Sequence, residues 1–312
     1  MAITIMDGIK NKQVLQTHAR RFTDDGTDNG TDVVLQHGDS AAIERLETDL
    51  LLEGLHQVHG ADFRGFVRTS LMRRLRAVML VEGLATISAL QNHILRSRVH
   101  AEALVRALSL RPGGLFDDPE GMQALRAVLG PYLRSCPLPK IWIAESTSAE
   151  DVFALVILLI EEGLYDKTLI FVTGADEALL AETRLGSIDG AQLPRYEADY
   201  LRSGGTRSLQ DYGTLQQDGQ FVFASTLRSN LIWAQYNLAT DRSFNEFQFI
   251  ICKRVLPEFG PLLRRRSLHL FADSLSPFGI LSVDVPEDLD SAPMALRFQA
   301  VVRERGLYRR MA

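Results

Sequence analysis

Few residues of this chain could do chemistry, and their spacing narrows what that chemistry could be. The seven histidines stand at 18, 37, 56, 59, 93, 100 and 269. Only His56 and His59 fall at a helical three-residue step. With no cysteine or acid pair beside them, no metal site is expected. Cys252 closes an apolar run, 249–252, that reads as a buried strand, where a thiol is inert core rather than a nucleophile. Neither a Gly-x-Ser-x-Gly elbow nor a P-loop is present. The arginines are more suggestive. Arg68, Arg73, Arg74 and Arg76 gather on one face of a helix, which suits docking to an acidic partner through charge complementarity. Arg264, Arg265 and Arg266 run consecutively; joined by Arg111 and Arg254 they would suit an anionic nucleotide, because guanidinium forks match phosphate oxygens.

These groups need a scaffold, and the chain can build one. It has 312 residues, 46% of them hydrophobic, enough for one large or two modest domains. With 34 Lys+Arg against 39 Asp+Glu the net charge is −5, which excludes a globally basic nucleic-acid binder. Two cysteines, Cys136 and Cys252, cannot form a disulfide framework and fit a reducing compartment. The longest apolar run, 152–160, falls far short of the ~20 residues a membrane helix needs. The opening residues lack the basic region and longer apolar stretch of a secretory signal. A cytoplasmic protein is expected, with no nucleic-acid partner and no membrane span.

Residues 1–40 hold little core material, and TDDGTDNGTD (23–32) has no apolar side chain, so a disordered tail is expected. Residues 41–110 read as a helical bundle. Ile43, Leu46 and Leu50, then Leu51 and Leu52, recur at three- and four-residue steps; Leu71, Leu75, Val78 and Met79 form a stripe opposite the arginine face. Further helices are predicted over 87–97 and 100–108, closed by Arg111-Pro-Gly-Gly. After Pro139 the pattern changes to strands at 140–144, 168–173, 249–252 and 279–283, with helices at 150–162, 178–185 and 262–275. That alternation argues an α/β domain over 111–312 with a parallel, doubly wound sheet. DYGTL and QFVFAST flank Gln-Gln-Asp-Gly, a hairpin signal over 212–226 inside an inserted β-subdomain at about 205–230.

Several segments, in order, resemble the CheR-type chemoreceptor glutamate methyltransferases. Asp62-Phe-Arg-Gly-Phe with Ser70-Leu-Met-Arg-Arg is similar to that family's D-F-x-x-Y…S-x-x-R-R helix. Ile141-Trp-Ile-Ala with Glu150-Asp-Val-Phe is similar to its first strand and loop, and Phe244-Asn-Glu-Phe with 249–256 (FIICKRVL) to its F-D-x-I-x-C-R-N-V-L strand. Ser274-Leu-Ser-Pro-Phe-Gly is similar to its S-L-x-P-G-G turn. The resemblance implies a methyltransferase-like α/β fold behind an N-terminal helical domain. It also implies S-adenosylmethionine (SAM) as cofactor, esterification of receptor glutamates, and a receptor or kinase met through the Arg68–Arg76 face or the hairpin edge.

The same resemblance implies cofactor contacts at Ala144, Glu150, Asn237, Leu238 and Val255, but several motif positions are altered. The family's A-G-C-S-T-G-E-E stands here as 144–151, AESTSAED, with Glu145 and Ala149 for the two glycines. A carboxylate enters where the backbone should approach the cofactor, and alanine resists positive φ. The acid that would accept ribose hydroxyls at the second strand is Gly174, and Asp176 beyond it reads as a helix N-cap. N-E-T-x-F-F-R-D-P becomes 111–119, RPGGLFDDP, placing Arg111, Gly113 and Asp117 at the polar positions. C-R-N-V becomes Cys252-Lys-Arg-Val, placing Arg254 near a cationic sulfonium. Cofactor binding is therefore expected to be weak or lost. The function expected is a non-catalytic binding or scaffold module, with an active methyltransferase or the nucleotide receptor as alternatives.

Overall fold

Leucines at helical spacing build four helices before any strand: α1 (His37–His59), α2 (Arg68–Glu82), α3 (Ile87–Arg96) and α4 (Arg98–Ser109). The computed structural model describes residues 37–312 apart from Pro112 and Asn245, and the side chains of 37–39 also fall outside it. The chain divides into two compact units, Met1–Ile43 and Glu44–Ala312. Of the first unit only the opening of α1 is described. The expected disordered tail lies outside the described residues up to 36, while 37–40 are helical.

The second unit opens with a leucine core. Leu51, Leu52 and Leu55 of α1 are buried with Leu71 and Leu75 of α2, Leu90 and Ile94 of α3, and Leu104 and Leu108 of α4. The expected inward stripe at Ile43, Leu46 and Leu50 is corrected here: all three are exposed, Leu46 at 59%. The face of α1 that meets the other helices is the one bearing Thr48, whose hydroxyl is satisfied by the Glu44 carbonyl at 2.7 Å. Gly83 ends α2 at φ 67°, a turn conformation that costs glycine nothing and reverses the chain into α3.

The α/β part begins with α5 (Pro119–Arg134), capped by Asp118, which the sequence reading passed over. Then come β1 (Lys140–Ile143), α6 (Ala149–Glu161), β2 (Leu169–Gly174), α7 (Glu177–Leu185), β3 (Ser187–Asp189), α8 (Leu193–Arg202), β4 (Gly213–Leu215), β5 (Gln220–Phe223) and β6 (Leu231–Gln235). β7 (Phe247–Cys252), α9 (Pro261–Ser274), β8 (Leu275–Val283), α10 (Pro286–Asp290), β9 (Phe298–Val302) and β10 (Leu307–Arg310) complete it. The main sheet runs β6-β2-β1-β7-β8-β10-β9. β6, β2, β1, β7 and β8 are parallel, but β10 is antiparallel to both its neighbours, so the expected all-parallel sheet is mixed. Each parallel pair needs a helical crossover, and the last three strands form the edge where the chain returns without one.

Both sheet faces are covered, because alternate residues of a strand point to opposite sides. Ile141 and Ile143 join the core beneath α5 and α6, whereas Trp142 joins the core beneath α9. Trp142 is fully buried and donates its indole N–H to Thr173 Oγ1 at 2.8 Å, which offsets the cost of burying that polar group. The hairpin expected at 212–226 is present as β4 and β5. A third strand, β3, covers the other side of β5, so β3 and β4 are the two edges of this small sheet.

The helical and α/β parts meet backbone to backbone. Val67 N–H donates to the Glu258 carbonyl and Gly260 N–H to that of Gly65, both at 2.7 Å. Arg74 turns inward to Glu258, which also pairs with Arg111 Nε at 3.2 Å.

Candidate functional site

The loops after β1, β2, β6 and β7 emerge at the carboxyl ends of the parallel strands, where open α/β sheets bind ligands. The first is the most informative. Glu145 sits at φ 54° and Arg254, after β7, at φ 65°. Both therefore hold a left-handed backbone that glycine or asparagine adopts easily and that costs other residues about 1–2 kcal/mol. Ala149 is a different case and corrects an expectation. It opens α6 behind the Ser148 N-cap, so it needs no positive φ.

The Glu145 side chain crosses to the end of β2, where the Ala175 N–H donates to its Oε1 at 3.3 Å. It thereby brings a carboxylate to the end of β2, beside Gly174. A side chain at 174 itself would start 3.1 Å from the Ser146 carbonyl. Asp176 caps α7, accepting from Ala178 N–H and Leu179 N–H, as expected. Burial pushes the Glu145 carboxyl above its ordinary range, and the nearby Arg111 only partly opposes this. Arg111 is itself 4% exposed, paired with Glu258 and seated over the Phe66 ring.

Arg254 reaches across the other side of the cleft. Its guanidinium pairs with Asp151 of α6 and with Asp117 at 3.1 Å. Gly113 makes this possible, since a Cβ there would lie 2.3 Å from Arg254 Nη2. Asp117 Oδ2 also accepts the Gly114 N–H at 3.0 Å, so the loop before α5 is folded around the ion pair. Behind it, burial pushes the Lys253 amine down and the Asp284 carboxyl up, while the Lys253 ammonium donates to the Val283 and Arg305 carbonyls.

Two cavities flank this network. One, of about 400 Å³, lies between α5, α6 and the sheet, walled by Phe116, Leu125, Ile143, Leu155 and Ile251 with Arg254 among its lining. The other, of about 80 Å³, is lined by Arg111, Ala175, Asp176, Asn237 and Leu238. Glu145 lines both. Asn237 and Leu238 thus border the smaller cleft, and Asn237 spends its side-chain oxygen on the Ala239 N–H at 2.8 Å. Ala144 and Val255 are buried backbone neighbours of the same loops, and Glu150 accepts from the Tyr196 hydroxyl at 3.5 Å.

Other expected groups do not converge. Arg264 pairs with Asp288, Arg266 donates to the Leu238 and Asp241 carbonyls, and Arg265 faces solvent. Arg111 and Arg254 are engaged elsewhere, so the five cations of the nucleotide reading are not brought together. On α2, Arg73 is exposed, Arg68 and Arg76 pair with Asp49 and Glu44 at the surface, and Arg74 belongs to the domain junction instead of a docking face. The sequence reading missed Asp151 and Glu258 as partners. They lie 103 and 147 residues from Arg254 and Arg111 respectively, beyond any local pattern. The available signal was a paired change of charge, an acid at 117 where the family pattern has an arginine and an arginine at 254 where it has a neutral asparagine.

The half-buried Glu145 carboxyl makes a testable pH dependence. A glutamate whose folded pKa lies above its unfolded value stabilises the fold at low pH and loses that contribution as pH rises through the folded value. Glu145→Gln should therefore match the parent near pH 4 and become progressively more stable than it above the ordinary glutamate value of 4.5. Denaturant titrations of both proteins across that range check this; a constant difference would refute it.

A family model described as the CheR methyltransferase, SAM binding domain, matches residues 115–303. A putative methyltransferase, Cher3, from Pseudomonas putida KT2440 is 32% identical over 265 residues, covering 85% of this chain and 97% of that protein. A chemotaxis protein methyltransferase 2 from Vibrio cholerae serotype O1 is 22% identical, covering 67% of this chain and 73% of that protein. Among solved structures, N-methyltransferase NodS from Bradyrhizobium japonicum WM9 with S-adenosyl-L-homocysteine aligns at 12% identity and TM-score 0.35, over 63% of this chain and 88% of that one.

Proposed function

We propose that this chain, which belongs to the CheR methyltransferase family, works as a signalling module that has kept the methyltransferase fold and given up methyl transfer. The observation that carries the reading is that the cleft's charges are paired with one another. Arg254 is spent on Asp117 and Asp151, and the Glu145 carboxylate is spent on the Ala175 N–H.

The space open to a cofactor is divided. Small-molecule sites run to several hundred Å³; the cleft beside Asn237 and Leu238 has about 80 Å³, and the cavity of about 400 Å³ across Glu145 has the Arg254 ion pairs in its lining. The side chain common to it and the larger cavity is the Glu145 carboxylate, which reaches the Ala175 N–H at the end of β2. Weak or lost SAM binding is therefore the reading, with Glu145 and the Arg254 ion pairs standing in the space the cofactor would take. The partner would be a chemoreceptor or kinase, met through the exposed part of α2 around Arg73 or through the open edge of β4. Addition of an extended peptide to such an edge uses main-chain hydrogen bonds for affinity.

Isothermal titration of the full chain with SAM and with its demethylated product tests the proposal. Dissociation in the millimolar range or no heat is expected, and low-micromolar dissociation would overturn it.

One observation favours a second reading, an active methyltransferase. Glu145 holds its carboxylate at the end of β2, beside the position of the family's ribose acid, so it could accept the sugar hydroxyls itself. The two readings part on one variant: Glu145→Gln would abolish tight SAM binding under the second and leave weak binding unchanged under the first.

A further inference from the structure

We propose that Glu82, His93 and His100 form a binding site for a divalent transition-metal ion, with zinc the best chemical match. The three residues come from three helices: Glu82 from the last turn of α2, His93 from α3 and His100 from the first turn of α4. One donor atom from each lies within 4.8 Å of the other two. His93 Nδ1 is 3.5 Å from Glu82 Oε2, and the two imidazole rings stand 5.3 Å apart and tilted. Tetrahedral bonds of about 2.0–2.1 Å place neighbouring ligand atoms roughly 3.4 Å apart. One pair already has that spacing, and the third donor lies within 4.8 Å of both.

The chemistry of the set is specific. Two imidazoles and a carboxylate are borderline ligands that suit zinc over calcium or magnesium, and three protein donors leave a fourth position for water. The supporting shell is also in place. Ser97, the N-cap of α4, has its Oγ 2.8 Å from His100 Nδ1. A bond to one ring nitrogen selects the tautomer and leaves the other nitrogen basic, as in most histidine metal ligands. The turns position the site: Gly83 in its left-handed conformation sends the chain from α2 into α3, and the single residue Ser97 separates α3 from α4. An ion here would tie the exposed end of α2 to its neighbours. The site is remote in sequence from the altered methyltransferase motifs and does not depend on the functional reading above. Local spacing could not reveal it, since only His56 and His59 share a helical step and the three donors are 11 and 7 residues apart on different helices.

Cobalt(II) and zinc titrations of the full chain test it. The expected results are one equivalent of cobalt with the visible absorption of a low-symmetry four-coordinate ion, its displacement by zinc, and a zinc-dependent rise in melting temperature by mass action. His93→Ala and His100→Ala should each weaken binding about tenfold or more, and a His56→Ala/His59→Ala double variant should bind as the parent does. His100 is exposed, so its variant stays folded even if His93→Ala does not. Absence of the cobalt spectrum, or metal affinity unchanged in His100→Ala, would overturn the proposal.

Discussion

Replacing Glu145 by glycine and Arg254 by asparagine together should raise the affinity for SAM about a hundredfold. Both positions hold a left-handed backbone, φ 54° and 65°, that the introduced residues adopt readily. The double variant should therefore fold. Glycine at 145 removes the one side chain that lines both cavities. Asparagine at 254 removes the cation and returns an uncharged donor and acceptor to the methionine end. One or two hydrogen bonds to charged groups, at roughly 1.5–3 kcal/mol each, correspond to about one to four decades; the missing acid at Gly174 holds the expectation near the middle of that range. The cost falls on Asp117 and Asp151, which lose their partner, but both are partly solvated, so about 1 kcal/mol each bounds it. Calorimetric titration of the double and single variants checks the result. Unchanged affinity in the folded double variant would mean that these two side chains are not what excludes the cofactor.

The second large effect concerns stability. Glu258→Ala should cost about 3–5 kcal/mol, because it removes the carboxylate shared by a buried guanidinium, Arg111, and a largely buried one, Arg74, leaving them only the Ser109 and Leu108 carbonyls. Arg111 is 4% exposed and Arg74 and Glu258 have side chains 14% exposed, so water replaces the lost carboxylate only in part. The loss would appear as a fall in melting temperature on the order of 10 °C. Glu258→Gln, which keeps an acceptor but no charge, should fall between the two. A change under about 1 kcal/mol for the alanine variant would show that the junction rests on the Val67 and Gly260 backbone bonds and the Phe66–Phe259 ring contact.

The helical bundle and the α/β order were legible wherever apolar periodicity is strong, as in Leu71 and Leu75 of α2 or Phe249 to Cys252 of β7. The misreadings have physical causes. Ile43, Leu46 and Leu50 are as well spaced for burial as Leu51, Leu52 and Leu55, and only the packing of α2, α3 and α4 selects between the faces. β6 (LIWAQ) is an edge strand with three of its five residues exposed, so it lacks the continuous apolar run by which β1 and β7 announce themselves. The antiparallel β10 owes its direction to the β9 hairpin return, a matter of topology with no local signature.

For the site, motif order alone pointed to the family and marked Glu145, Gly174, Asp117 and Arg254 as departures from it. Whether those departures open or close the cleft lay beyond that reading, because it depends on where flexible charged side chains find partners. Arg254 meets Asp117 and Asp151, 137 and 103 residues away. Ala149 looked strained on paper and is at ease in a helix, while Glu145 looked merely bulky and also carries the left-handed turn. Residue types and periodicity determined the elements and their lineage, since both act over a few positions along the chain. The pairing of charges, and the meeting of Glu82, His93 and His100, were decided by tertiary structure, since electrostatic and metal-ligand geometry depends on distance in space and is indifferent to distance in sequence.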